Sequence, residues 1–151
     1  MQKALDWTLE SADALGVEAV VIPTPSGFAT SRRERDLFAS FADRLPRDKR
    51  RIWVWETNGL WDSDKSYPFA EKLGLICAFD PLMEAAPQSD VLYARFTALG
   101  VRTHISESML SEALRTLIKP SIKTVYAVFD FKGSTRRAKL LKKLAQAPHF
   151  P

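Results

Sequence analysis

Cysteine is almost missing from this sequence. The single thiol, Cys77, excludes an internal disulfide and fits a reducing cytoplasm. It lies inside the apolar run LGLICAF, where burial disarms a thiol, so it reads as structural. Histidine is nearly as scarce: His104 falls in a loop before a helix and His149 in the tail. No His/Cys set has zinc-ligand spacing. No apolar run is long enough to span a bilayer, so no membrane partner is expected. The opening MQKALDWTLE has no apolar stretch behind a basic one and does not read as a signal peptide. Also lacking are a Walker loop, a G-x-S-x-G elbow and an H-E-x-x-H helix. The turn PTPSGF carries one glycine, which argues against a dinucleotide loop. Neither a solenoid repeat nor a low-complexity segment is present.

What is there looks like an ordinary globular chain. Its 151 residues, 46% hydrophobic and 26% charged, suffice for one domain over 1–151 with a real core. The net charge of +4 is mildly basic and admits nucleic acid as a partner on charge alone. The cations cluster in two groups. One is Arg44, Arg47, Lys49, Arg50 and Arg51; the other is Lys132, Arg136, Arg137, Lys139, Lys142 and Lys143. Both sit at helix edges, where solvated charge is normal. Aromatic residues do not interleave with them as a stacking surface requires.

Helical and strand patterns alternate along the chain. Leu5, Leu9 and Ala12 mark one face of a helix ending near Gly16. Ala19 to Ile22 is a β-branched strand stopped by Pro23 and Pro25. Ser31 and Glu34 form a capping box, and Leu37, Phe38, Phe41 and Leu45 follow on one helical face. RIWVWE is a second strand. Lys65 to Leu73 is a short helix with Pro68 in its first turn and Gly74 after its end. LICAF and VLYARF are the third and fourth strands. A helix over Ser108 to Ile118 presents Met109, Leu110, Ala113, Leu114 and Leu117. TVYAVFDF is the fifth strand, and Gly133 and Ser134 open a last helix with Leu140, Leu141 and Leu144 inside. Strands apolar on both faces, between amphipathic helices, mean a parallel sheet covered by helices: an α/β fold, either open or closed into a barrel.

The string VWETNGLW, then AFDP, LYARF and VYAVFDF, resembles in order and spacing the domain of unknown function 72, the YecE-like proteins. IPTPSGF upstream is similar to that family's strand-end proline–phenylalanine turn. The resemblance covers residues 5 to 145 and implies a TIM-type barrel. A full barrel needs eight units and typically ~250 residues. The resemblance therefore implies a partial barrel of about five β/α units, with the first three lacking. It implies no established reaction. Three polar positions depart from the family: Asn58 stands for its arginine, Thr97-Ala98 for its His-Gly, and Asp130-Phe131 for its two asparagines.

In parallel α/β folds the site lies at the C-terminal ends of the strands. Glu56, Asp80, Arg95 and Asp130 are the candidate catalytic residues there, with Asn58, Trp61 and Tyr93 as candidate substrate contacts. Three carboxylates around one guanidinium could do acid–base work, or hold a divalent metal through oxygen ligands. Arg95 could clamp a phosphate or carboxylate. The structural alternative pairs Glu56 with Arg95 inside the sheet and gives Asp80 the turn before Pro81. Trp53, Trp55, Phe79 and Phe129 read as barrel core. Two functions follow. One is a barrel-derived enzyme, a metal-assisted hydrolase or lyase on a phosphorylated or nucleic-acid-like substrate. The other is a non-catalytic, degenerate barrel fragment acting as a subunit or binding module. Five units leave two sheet edges open, so a homo-oligomer, or a partner chain covering those edges, is expected.

Overall fold

Strands and helices alternate because apolar β-branched runs are separated by capped amphipathic segments. The computed structural model describes residues 2–47, 50–57, 60–97, 105–131 and 133–147. The elements are α1 (Gln2–Leu15), β1 (Ala19–Pro23), α2 (Arg32–Ala42), β2 (Ile52–Glu56) and α3 (Ser63–Lys72), then β3 (Ile76–Phe79), β4 (Val91–Thr97), α4 (Glu107–Leu117), β5 (Thr124–Asp130) and α5 (Ser134–Ala145). β1 pairs with β2, β3 with β4, and β4 with β5, all parallel. This is the α/β class expected, and five such parallel strands fit part of a TIM-type barrel. The link from β3 to β4 is made of turns, so that step has no helix of its own. The chain divides into two compact halves, residues 1–75 and 76–151.

In the first half, the predicted capping box opens α2. Ser31 Oγ accepts from the Glu34 amide (3.3 Å), and the Glu34 carboxylate accepts from the Ser31 hydroxyl (2.9 Å) and the Ala29 amide (3.1 Å). The buried stripe of α2 runs through Phe38 and Ala42 and on to Leu45. Leu37, expected on that face, is 62% exposed, because it lies one residue off the i, i+4, i+7 stripe. α3 begins at Ser63, two residues earlier than expected, behind Asp62 as N-cap. Pro68 is therefore an interior residue, not a first-turn one. It is solvent-exposed, as a residue without a donor in mid-helix is best placed.

Gly74 ends α3 with φ +64°, the left-handed cap that a residue without Cβ adopts cheaply, and the Leu75 amide reaches back to Ala70 O (2.9 Å). Helix ends leave carbonyls without partners. Here Arg47 supplies donors: to Ala42 O at the end of α2 (3.1 Å), and to Leu73 O (2.8 Å) and Gly74 O (3.1 Å) after α3. Arg51, at the start of β2, is buried and ion-paired with Asp13 of α1. The expectation of solvated helix-edge charge is thus wrong for Arg51, which is buried, whereas Arg47 is exposed as expected and still ties the ends of α2 and α3 together.

Tryptophan and phenylalanine form the core of this half. Trp55 is fully buried. Its ring meets Phe38 at 5.0 Å, Trp61 at 4.9 Å and Phe69 at 5.6 Å. Phe28 and Phe69 both stack on Trp61, at 5.8 and 5.2 Å. Each large apolar side chain buried this way is worth roughly 1.5–3 kcal/mol. Because side chains alternate along a strand, Trp53 and Trp55 share one face of β2, and Val54 and Glu56 the other. Trp55 packs on Phe38 of α2 and Phe69 of α3, so its face is the helix-covered one.

The second half is built on β4, whose Leu92, Ala94 and Phe96 are fully buried. Phe96 stacks on its register partner Phe129 of β5, centroids 4.4 Å apart and planes 2° from parallel. α4 buries Leu110, Ala113, Leu114 and Leu117. Cys77 is buried, as its apolar run implied. β5 differs from β4: four of its seven residues are exposed, Ala127 and Val128 among them. Opposite β4, β5 has no strand partner among the described residues. In the first half, β1 likewise pairs on one side only and ends in Pro23.

Candidate functional site

Four of the candidate residues lie at or near strand C-termini, where a parallel fold places its chemistry. Glu56 ends β2, Asp80 follows β3, Arg95 is two residues from the end of β4, and Asp130 ends β5. Asn58 lies outside the described residues, as do His104 and His149.

In the first half, the Glu56 carbonyl is the fixed point. It accepts from the Thr24 amide (3.1 Å) and from the Thr24 hydroxyl (3.2 Å). Trp55 Nε1 in turn donates to that hydroxyl (3.2 Å). A buried threonine thus joins the turn after β1 to the end of β2. The Glu56 side chain is half-buried, on the face opposite Trp55. Trp61 is packed in the aromatic core, and its indole donates to Phe28 O (3.1 Å). The same residue that could line a pocket therefore pins the Pro–Ser–Gly–Phe turn.

In the second half, the parallel register puts Tyr93, Arg95 and Thr97 on one face of β4, beside Tyr126, Val128 and Asp130 of β5. Arg95 Nη2 donates to Asp130 Oδ2 at 2.6 Å, a diagonal pair across neighbouring strands. The pair is not sealed: Arg95 is 28% and Asp130 64% exposed at the side chain. Asp80 takes a second set of bonds. Its Oδ2 accepts from the Thr97 hydroxyl (2.8 Å) and amide (3.4 Å), and its Oδ1 accepts from the Leu82 amide (2.9 Å). The turn role foreseen for Asp80 before Pro81 is therefore real, and Thr97 is its added partner. Tyr93 is buried, its ring 6.4 Å from Tyr126. Burial pushes its phenol above the ordinary tyrosine range, because the phenolate loses its water.

The structure brings Arg95 together with Asp130, and Asp80 with Thr97, on strand ends of one sheet. Among the described residues, no three His, Cys, Asp or Glu side chains converge as a metal site. Sequence reasoning missed Thr24, and it noted Thr97 only as a departure from the family pattern, not as a partner of Asp80. Thr97 had a signal: it lies two residues after Arg95, hence on the same face. Thr24 had none, since a lone Thr between two prolines reads only as turn.

No protein-family model matches the sequence, and no curated protein matches it. Solved structures do. A DUF72 family protein (TM1631) from Thermotoga maritima MSB8 superposes with a TM-score of 0.71 at 16% identity, over 96% of this chain and 65% of that one. A DUF72 family protein (EF0366) from Enterococcus faecalis V583 superposes with a TM-score of 0.72 at 12% identity, over 96% of this chain and 66% of that one. The chain thus has the fold of DUF72 proteins and spans about 65% of the length of the first of them. No helix among the described residues is long and apolar enough to cross a membrane.

Proposed function

We propose that this chain binds an anionic group, phosphate or carboxylate, at the C-terminal ends of β4 and β5, with Arg95 as anchor. The Arg95–Asp130 pair carries this reading. It is short, lies at the end of the sheet where parallel folds hold ligands, and keeps the guanidinium within reach of solvent. An incoming anion would compete with Asp130 for the guanidinium fork, and Asp130 would be released to act on a proton. Asp80, held by Thr97, would orient the site. Tyr93 would stay a neutral donor beside it. In an enzyme this serves a hydrolase or lyase on a phosphorylated or nucleic-acid-like substrate. With no three-donor set among the described residues, charge clamping by Arg95 carries the reading better than metal assistance does.

Titration calorimetry with inorganic phosphate tests the proposal. Losing a charge-assisted bidentate partner costs about 1.5–3 kcal/mol, so Arg95→Gln should weaken binding roughly tenfold to a hundredfold. Unfolding curves of the variant show whether the fold survives. Equal phosphate affinity in wild type and a folded Arg95→Gln chain refutes the reading. So does a wild type that binds no phosphate, acetate or mononucleotide.

A second reading, a non-catalytic subunit, is favoured by a different observation. Asp80 already serves a turn and Thr97, and β5 exposes apolar residues along an open edge.

A further inference from the structure

We infer that the open edge of β5 pairs with the β5 edge of a second copy of this chain, antiparallel, about a two-fold axis at Ala127. The inference does not depend on the anion site.

Unpaired strand edges attract other strands, and proteins normally guard them with proline, inward charge or very short strands. β1 is guarded: Pro23 removes a donor from a five-residue strand. β5 is not. Its seven residues, TVYAVFD, hold no proline and no cation, and the one charge, Asp130, stands at the end. Ala127 and Val128 are exposed in mid-strand, whereas their register partners Ala94 and Arg95 are buried and half-buried.

The strand is complementary to itself. Antiparallel pairing centred on Ala127 sets Val125 opposite the copy's Phe129, Tyr126 opposite its Val128, and Thr124 opposite its Asp130. Apolar meets apolar on both faces, with the polar pair at the ends. A one-residue shift sets Asp130 opposite Val125 in one sense and opposite Lys123 in the other, and in either sense it flips the faces of the copy. Parallel pairing of β5 with β1 of a copy would meet Pro23.

α5 extends the same surface. Ala138, Leu141 and Ala145 line an apolar cleft of about 310 Å³ together with Leu114 and Leu117 of α4 and Phe129 of β5. Lys142, at the far side of that stripe, borders the cleft too. By helical spacing, Leu140 and Leu144 then lie on the flank turned away from α4, both half-buried. An edge-paired copy, related by an axis perpendicular to the sheet, brings its own Leu140 and Leu144 to that flank. The cations of α5, which has no acidic residue, also approach their copies. Added salt should therefore tighten the dimer. Association bridged by a nucleic acid would weaken with salt instead.

Sedimentation equilibrium on the full chain should give twice the 17.0 kDa of one copy. The geometry is read by cross-linking. Ala127→Cys places two thiols face to face across the axis, within disulfide reach for an antiparallel pair. The native Cys77 is buried and stays silent. Held at an effective concentration in the mM range, these thiols should oxidise to a covalent dimer on the order of a hundredfold faster than Ser40→Cys, a control on exposed α2. Val128→Lys and Leu144→Glu, on two different elements, should each leave a folded monomer by circular dichroism. A monomer at the highest soluble concentration overturns the inference. So does a dimer in which position 127 does not cross-link preferentially, or a chain that pairs only with a different polypeptide.

Discussion

Removing Asp13 should harm the protein more than removing the buried cation that it serves. Arg51 keeps only 5% of its side chain exposed, while Asp13 keeps 56%. Arg51 Nε is buried and has no hydrogen-bond partner. Asp13→Ala strands the guanidinium in a low-dielectric site. Breaking a buried pair this way costs about 3–5 kcal/mol; half-exposure of Asp13 lowers the expectation to about 2–3 kcal/mol. Arg51→Met removes the charge, the orphaned Nε and the need for a partner, while its stem still fills the space. That change should lie within about 1 kcal/mol of wild type, on either side. The double variant should match Arg51→Met, since Asp13 then has no ion to serve. Urea unfolding at fixed protein concentration reads all four corners of this cycle. For a chain of this size Asp13→Ala should lower the Tm by roughly 4–12 °C. An Asp13→Ala variant within about 0.5 kcal/mol of wild type refutes the reasoning, as does an Arg51→Met variant that is the worse of the two.

Two more outcomes follow from single residues. Tyr93 is held neutral by burial, so the phenolate absorbance lost in Tyr93→Phe should titrate above the ordinary tyrosine range. The sign is fixed by linkage: the unfolded chain ionises this phenol first, so its contribution falls as pH rises past about 10, and Tyr93→Phe should flatten the alkaline loss of stability. A normal titration would show the phenol to be open to water. Gly74→Ala should cost about 2–3 kcal/mol by urea unfolding, combining left-handed strain with disturbed Arg47 bonds. Its Cβ would lie 2.7 Å from Arg47 Nη1. In an Arg47→Ala background the same substitution should cost about 1 kcal/mol less, and an unchanged penalty would refute the clash.

Local patterns were legible and distant pairings were not. The Ser31–Glu34 cap, the strand runs and the buried Cys77 are encoded within a few residues, and the structure has them. The start of α3 lies outside what Pro68 marks: the helix opens behind Asp62, whose carbonyl accepts from the Lys65 and Ser66 amides while its side chain makes no capping bond. Arg51 looked like surface charge because its partner Asp13 lies 38 residues away, and the reach of Arg47 to Leu73, 26 residues on, is equally invisible to a local reading. The site followed the same rule. Strand-end positions were readable from the parallel alternation. That Arg95 meets Asp130, 35 residues on, depends on the β4–β5 register, which no local string contains.

Arg47 has one more consequence. Its guanidinium holds the carbonyl at the end of α2 and those after α3 at once, so fraying of either helix end disturbs the other. The amides of these two turns should exchange with solvent as one opening event, not as two. Although Ala42 and Leu73 stand 31 residues apart in the chain, the two turns belong to a single smallest piece of the protein that can let go.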